Sequence, residues 1–164
     1  MRLFFLLFLF AMDAMAAQFE ITSTRFRNNE KIPTQFSCDG QDISPPLAWR
    51  NAPVSTQSFA LICSDPDAPN GTWYHWVVFN IPKTLTEIAD NQPPKDSVLG
   101  KNSWGRMRYN GPCPPPGTAH RYIFTLYALD TRLNLPASTD AETLQETLQG
   151  HLLEKTSLVG LFGR

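Results

Sequence analysis

Proline constrains this chain more than any other residue: 14 of its 164 residues are proline, against a typical ~5%. Each one lacks a backbone donor and clashes with the preceding turn. Long uninterrupted helices are therefore disfavoured, and strands joined by structured loops are expected. The length suits one domain with a sizeable core rather than two. Lys and Arg number 14 against 15 Asp and Glu, with 42% hydrophobic and 12% aromatic residues. Such a composition excludes a disordered charged tail. It argues against a nucleic-acid partner that depends on overall positive charge.

The first residues read as a targeting segment. Arg2 precedes the apolar run Leu3–Met12, and Ala14-Met15-Ala16 has the small-x-small pattern of a signal-peptidase site. The run is too short for a bilayer core, which needs ~20 residues. An N-terminal core helix or membrane anchor is the competing reading. The expected division is a signal peptide at 1–16 and one domain at 17–164. Localisation is then periplasmic or secreted, without stable membrane insertion. The residue next to the cleavage site is Ala17 and not Cys, so a lipid anchor is not expected.

Cys38, Cys63 and Cys113 remain after such cleavage. Cys63 ends the apolar run Phe59-Ala60-Leu61-Ile62 and reads as a buried free thiol. Cys38 and Cys113 lie in Gly/Pro loops and form the candidate disulfide, with two free thiols as the alternative. Spacing alone does not choose between them.

Phe19–Thr24 alternates apolar and polar residues, as a strand does. Ile43–Trp49 is a proline-broken edge segment. Phe59–Ser64, Trp76–Ile81 and Arg121–Leu129 are continuous apolar runs that suit strands covered on both faces. Thr139-Asp140-Ala141-Glu142 matches a capping box. Leu144, Leu148 and Leu152 then form an apolar stripe, so a C-terminal helix is expected, with Gly150 breaking or dividing it.

Chemistry concentrates in three segments. Asp65-Pro66-Asp67-Ala68-Pro69 places two carboxylates on a proline-stiffened corner at a strand end. The alternative there is a turn in which both carboxylates accept local N–H groups. Trp73-Tyr74-His75-Trp76 sets a histidine among aromatic walls, or else a packed core histidine. Tyr109–Gly117 is a Gly/Pro loop leading to His120-Arg121-Tyr122. Strand alternation puts His120 and Tyr122 on one face and Arg121 on the other. The alternative is a proline-stiffened crossover.

These motifs, in this order, resemble the phosphatidylethanolamine-binding protein family, in its bacterial and archaeal Raf-kinase-inhibitor-like branch. Phe36–Gly40, Ser44–Leu47 and the ending Leu158…Arg164 resemble it too. The resemblance implies a mainly β (β-rich α+β) fold: a large antiparallel Greek-key sheet, a smaller sheet, and a peripheral C-terminal helix. It implies a small anion pocket at one end of the sheet, formed by Asp65, His75, His120 and Tyr122. Asp67 would lie beside it, with Gly111 and Pro112 nearest on the rim. The ligand would be phosphate, a phosphorylated headgroup or a carboxylate, with no cofactor. Kinase inhibition does not transfer safely, because eukaryotic members carry a longer insertion and lack the cysteine-bearing Gly-Pro-Cys-Pro.

An anion beside Asp65 requires compensation, which a protonated His75 or His120, loop N–H groups and the Tyr122 hydroxyl can supply. Three other readings compete. A Zn²⁺ or Mn²⁺ site could use Asp65, Asp67, His75 and His120. A His/Asp hydrolase lacks a nucleophile elbow. A protease or kinase inhibitor could use the pocket rim, with no physiological small ligand. Arg106 and Arg108 could guide an anion, although such residues are more often solvated charge. Asn70-Gly71-Thr72 is formally a glycosylation sequon. For a homodimer, Lys101–Arg108 and the C-terminal helix are the surfaces of interest.

Overall fold

The computed structural model describes residues 17–164, so the signal-peptide segment 1–16 lies outside the described residues. The elements in chain order are β1 (Glu20–Thr22), β2 (Glu30–Lys31), β3 (Leu47–Arg50), β4 (Ser58–Asp65), β5 (Trp73–Pro82), β6 (Glu87–Ile88), β7 (Val98–Leu99), β8 (His120–Leu129), α1 (Ala141–Leu148) and β9 (Leu152–Phe162). A three-stranded sheet has the order β1-β3-β6, and a six-stranded sheet the order β2-β9-β8-β4-β5-β7.

The long central strands explain the continuous apolar runs. On β4, Phe59, Leu61 and Cys63 face a core shared with the small sheet. Ala60 and Ile62 face the opposite core, beneath α1. With both faces covered, alternation disappears from the sequence. Leu144 and Leu148 of α1 close the second core against Val77, Phe79 and Leu129. The layers are therefore small sheet, large sheet and helix. After β5 the chain runs through β6 and β7 and returns as β8 on the far side of β4, which is Greek-key connectivity.

Three expectations are corrected. The helix is not the end of the chain: it stops at Leu148, and Leu152 begins the eleven-residue strand β9. Glu154 to Ser157 are polar, and only Leu158, Gly160 and Phe162 are buried in alternation, so the apolar signal covers half the strand. The N-cap is Asp140, whose carboxylate accepts the Thr143 N–H at 2.9 Å. Thr139 instead donates its hydroxyl to the Pro136 carbonyl. The large sheet is also mixed, because β2 joins β9 in parallel at the edge.

Cys38 and Cys113 are bonded, and Cys63 is a buried free cysteine. Among the described residues, no helix is long and apolar enough to cross a membrane.

Candidate functional site

Three neighbouring strands deliver the site. Asp65 is the last residue of β4, His120 the first of β8, and His75 the third of β5. In the β4–β5 ladder Cys63 pairs with Trp76 and Ser64 with Tyr74, so His75 is an extra residue in a β-bulge. The bulge reverses the faces: Trp76 packs in the inter-sheet core, while Tyr74, two residues away, packs against the α1 core. His75 is thereby turned toward Tyr122, ring against ring at 5.1 Å and 85°. Bulges commonly re-aim a side chain in this way beside functional sites.

Asp65, His75, His120 and Tyr122 line one cavity of about 250 Å³. Asp65 and His75 are 3% and 2% exposed. The Asp65 carboxylate accepts from His120 Nδ1 at 2.7 Å and from the Asp67 N–H at 2.9 Å. His75 Nδ1 donates to the Asn110 carbonyl at 2.7 Å. A carbonyl can only accept, so the proton sits on Nδ1 and Nε2 carries a lone pair. Burial pushes the His75 pKa below the usual imidazole value, with the Asn110 carbonyl opposing. His75 is therefore neutral at neutral pH. Burial, and then the Asp65 charge, push the Tyr122 phenol far above its ordinary value, so its hydroxyl stays a donor. That hydroxyl is buried beside the Asp65 carboxylate, without a hydrogen bond of good geometry among the described residues.

The remaining sequence candidates stand off the wall. Asp67 is gripped by Arg121 at 2.6 and 2.9 Å, and these bonds hold its carboxyl down at about 2. The Gly111 N–H donates to Asp42 at 2.6 Å, and the Pro112 carbonyl accepts from the Cys38 N–H. Gly111 runs against the Phe36 carbonyl, where a Cβ would collide. The rim is formed instead by Cys113, Pro114 and Pro115 on one side and Pro69, Trp73 and Trp104 on another. Gly111 and Pro112 fasten the rim from behind, because their backbone groups are spent on the Phe36–Asp42 turn.

Sequence reasoning missed the framework that holds this arrangement. Asn110 donates to Asp42 at 3.1 Å and accepts from Asn102 at 2.9 Å. The Asn102 side-chain Oδ1 accepts from the Trp104 and Arg106 N–H groups, fixing the loop that carries Trp104. The only local sign is amide and carboxylate side chains in Gly-rich turns, a pattern common to many loops. Among the described residues no three His, Cys, Asp or Glu side chains stand together as a metal site would require.

The phosphatidylethanolamine-binding protein family profile matches residues 22–163. The chain belongs to that family. A UPF0098 protein of Methanothermobacter thermautotrophicus is 47% identical over 144 residues, 85% of this chain and 95% of the relative. The crystal structure of a Chlamydia trachomatis protein described as a phosphatidylethanolamine-binding protein homologue is 35% identical. It superposes with a TM-score of 0.84, covering 89% of this chain and 97% of its own. A Mycobacterium tuberculosis relative, named as a candidate lipoprotein, is 39% identical over 87% of this chain and 71% of its own length.

Proposed function

We propose that this family member binds a small anion (phosphate, a phosphorylated headgroup or a carboxylate) in the cavity of Asp65, His75, His120 and Tyr122. The observation that carries the reading is the Tyr122 hydroxyl, buried and unpartnered at the cavity wall. An unsatisfied buried donor costs about 1–3 kcal/mol, and an anion oxygen would satisfy it. Among the described residues no Lys or Arg lines the cavity. His120 Nδ1 is held by the Asp65 carboxylate at 2.7 Å, which aims its ring at the cavity beside the Tyr122 hydroxyl. The neutral His75 Nε2 accepts from a ligand that retains a hydroxyl.

The activity in this reading is binding without turnover; the family's name supports the binding. Ser64 has no hydrogen bond to a histidine, and a nucleophile would need an activating base beside it. The protein acts outside the cytoplasm after loss of residues 1–16. A disulfide of this kind persists in oxidising compartments, and the apolar leader accounts for export. A partner protein could read the occupied rim.

The test is titration with inorganic phosphate and phosphorylethanolamine while following the His75 and His120 ring signals by NMR. Both signals should move and saturate together, and Asp65→Ala should abolish the response. Failure of both rings to respond to either anion would sink the small-ligand reading and leave the rim to a protein partner.

A further inference from the structure

The chain holds two Asn-Gly pairs, Asn70-Gly71 and Asn110-Gly111. An asparagine amide beside a glycine nitrogen is a reactive arrangement, because glycine has no side chain to shield that nitrogen or restrict its backbone. The fold treats the two pairs in opposite ways. Asn110 is 6% exposed. Its Nδ2 donates to Asp42 at 3.1 Å, and its Oδ1 accepts from Asn102 at 2.9 Å. The Gly111 N–H donates to Asp42 at 2.6 Å, and Gly111 is pressed against the Phe36 carbonyl. Both groups that would react are held and covered. Asn70, Gly71 and Thr72 are all exposed, in the loop that joins β4 to β5. The Gly71 N–H reaches only the Ala68 carbonyl, at a long 3.3 Å. Gly71 has a φ of +100°, and a Cβ there would meet nothing within 4 Å. The position has room for a ring and for a lengthened backbone.

We propose that Asn70 is a site of self-modification, deamidating through a succinimide while the fold protects Asn110. The Gly71 nitrogen gives up its proton and attacks Asn70 Cγ. The N–Cγ bond forms, the Cγ–Nδ2 bond breaks, and ammonia leaves with the proton. Water then opens the succinimide ring. Opening at Cγ leaves aspartate at position 70. Opening at the main-chain carbonyl leaves isoaspartate, whose backbone is one methylene longer. Water is the only co-reactant, and nothing is oxidised or reduced. Either product carries a negative charge where a neutral amide stood. Asn70 lines the same cavity as Asp65, so the new charge repels an anion there. That consequence rests on the anion-binding reading; the reaction itself does not. The loop is in this way a one-way clock that lowers anion affinity as the protein ages.

The test is incubation of the folded protein in warm, mildly alkaline buffer, beside a second sample unfolded in urea, with peptide mass spectrometry over time. In the folded protein the deamidation mass gain should appear at Asn70 about tenfold or more faster than at Asn110, which reacts only after its loop opens. In urea the two rates should converge. Asn70→Gln should abolish the fast conversion. If folded Asn70 stays intact while the unfolded chain converts it, or if Asn110 keeps pace with Asn70 in the folded protein, the proposal is overturned. Calorimetric titration with inorganic phosphate reads the consequence. Asn70→Asp should bind phosphate about twofold or more weakly than the parent, the scale of a charge acting through solvent. Equal affinities overturn the effect on the cavity. If neither protein binds phosphate, the anion-binding reading falls, and the modification stands or falls on the mass result alone.

Discussion

The Tyr122 hydroxyl has opposite effects on stability and on binding. It is buried without a partner, so Tyr122→Phe removes an unsatisfied polar group and should leave the free protein equally stable or up to about 1–3 kcal/mol more stable. The same change should weaken anion binding by roughly three- to tenfold, the worth of one hydrogen bond. Urea unfolding and calorimetry together check the pair of signs. His75 makes a second prediction. Burial holds its folded pKa below the value of about 6.5 expected in the unfolded chain. The unfolded state therefore takes up a proton first as pH falls, and stability should decline below about pH 6.5. Melting temperatures between pH 7.5 and 5 should show the decline, and His75→Gln should flatten it. The family resemblance implied a pocket of Asp65, His75, His120 and Tyr122 with Asp67 beside it, and one cavity is lined by those four. What the sequence did not show is the Asp67 partner, Arg121, 54 positions away.

Strand and loop geometry decide where those side chains go. The three central strands were readable as apolar runs. The bulge that turns His75 inward was not, because it depends on pairing between β4 and β5 rather than on either sequence. Strand β9 was hidden by its polar first half, which lies at the surface. Gly160 in β9 packs against Ile32 and Phe26, where a Cβ would collide. Gly160→Ala should cost about 1–3 kcal/mol by overpacking, measurable as a lower urea midpoint. The disulfide closes 75 positions of sequence and staples the Cys38 turn to the cavity rim. In the chain-entropy account a loop of that length is worth about 4 kcal/mol, with typical measured values of about 2–4. The double variant Cys38→Ser/Cys113→Ser should lose stability in that range, and its rim amides should exchange faster.

Because three strands of one sheet build the cavity, ligand binding should stabilise the entire cooperative unit. At a hundredfold excess over Kd the linkage is worth about 2.7 kcal/mol. For a domain of this size that raises the melting temperature by roughly 5–10 °C. Thermal unfolding with increasing phosphate or phosphorylethanolamine checks it. A shift confined to local exchange at the rim, with no change in melting, would mean that the ligand contacts only the loop. The two-sided burial of the large sheet, between the small sheet and α1, makes this coupling global.

The sequence by itself determined what depends on local covalent chemistry: proline density disfavoured long uninterrupted helices, and apolar runs marked strands buried on both faces. The ordered Asp-Pro-Asp-Ala-Pro, His-Trp, Gly-Pro-Cys-Pro and His-Arg-Tyr motifs resembled a family, and that resemblance implied a pocket of Asp65, His75, His120 and Tyr122. Only the tertiary structure decided what depends on distant partners. It bonded Cys38 to Cys113, spent Asp67 on Arg121, placed a parallel strand at the sheet edge and lifted Trp104 over the cavity. Pairing, register and closure join residues far apart along the chain, and no local pattern encodes which of them will meet.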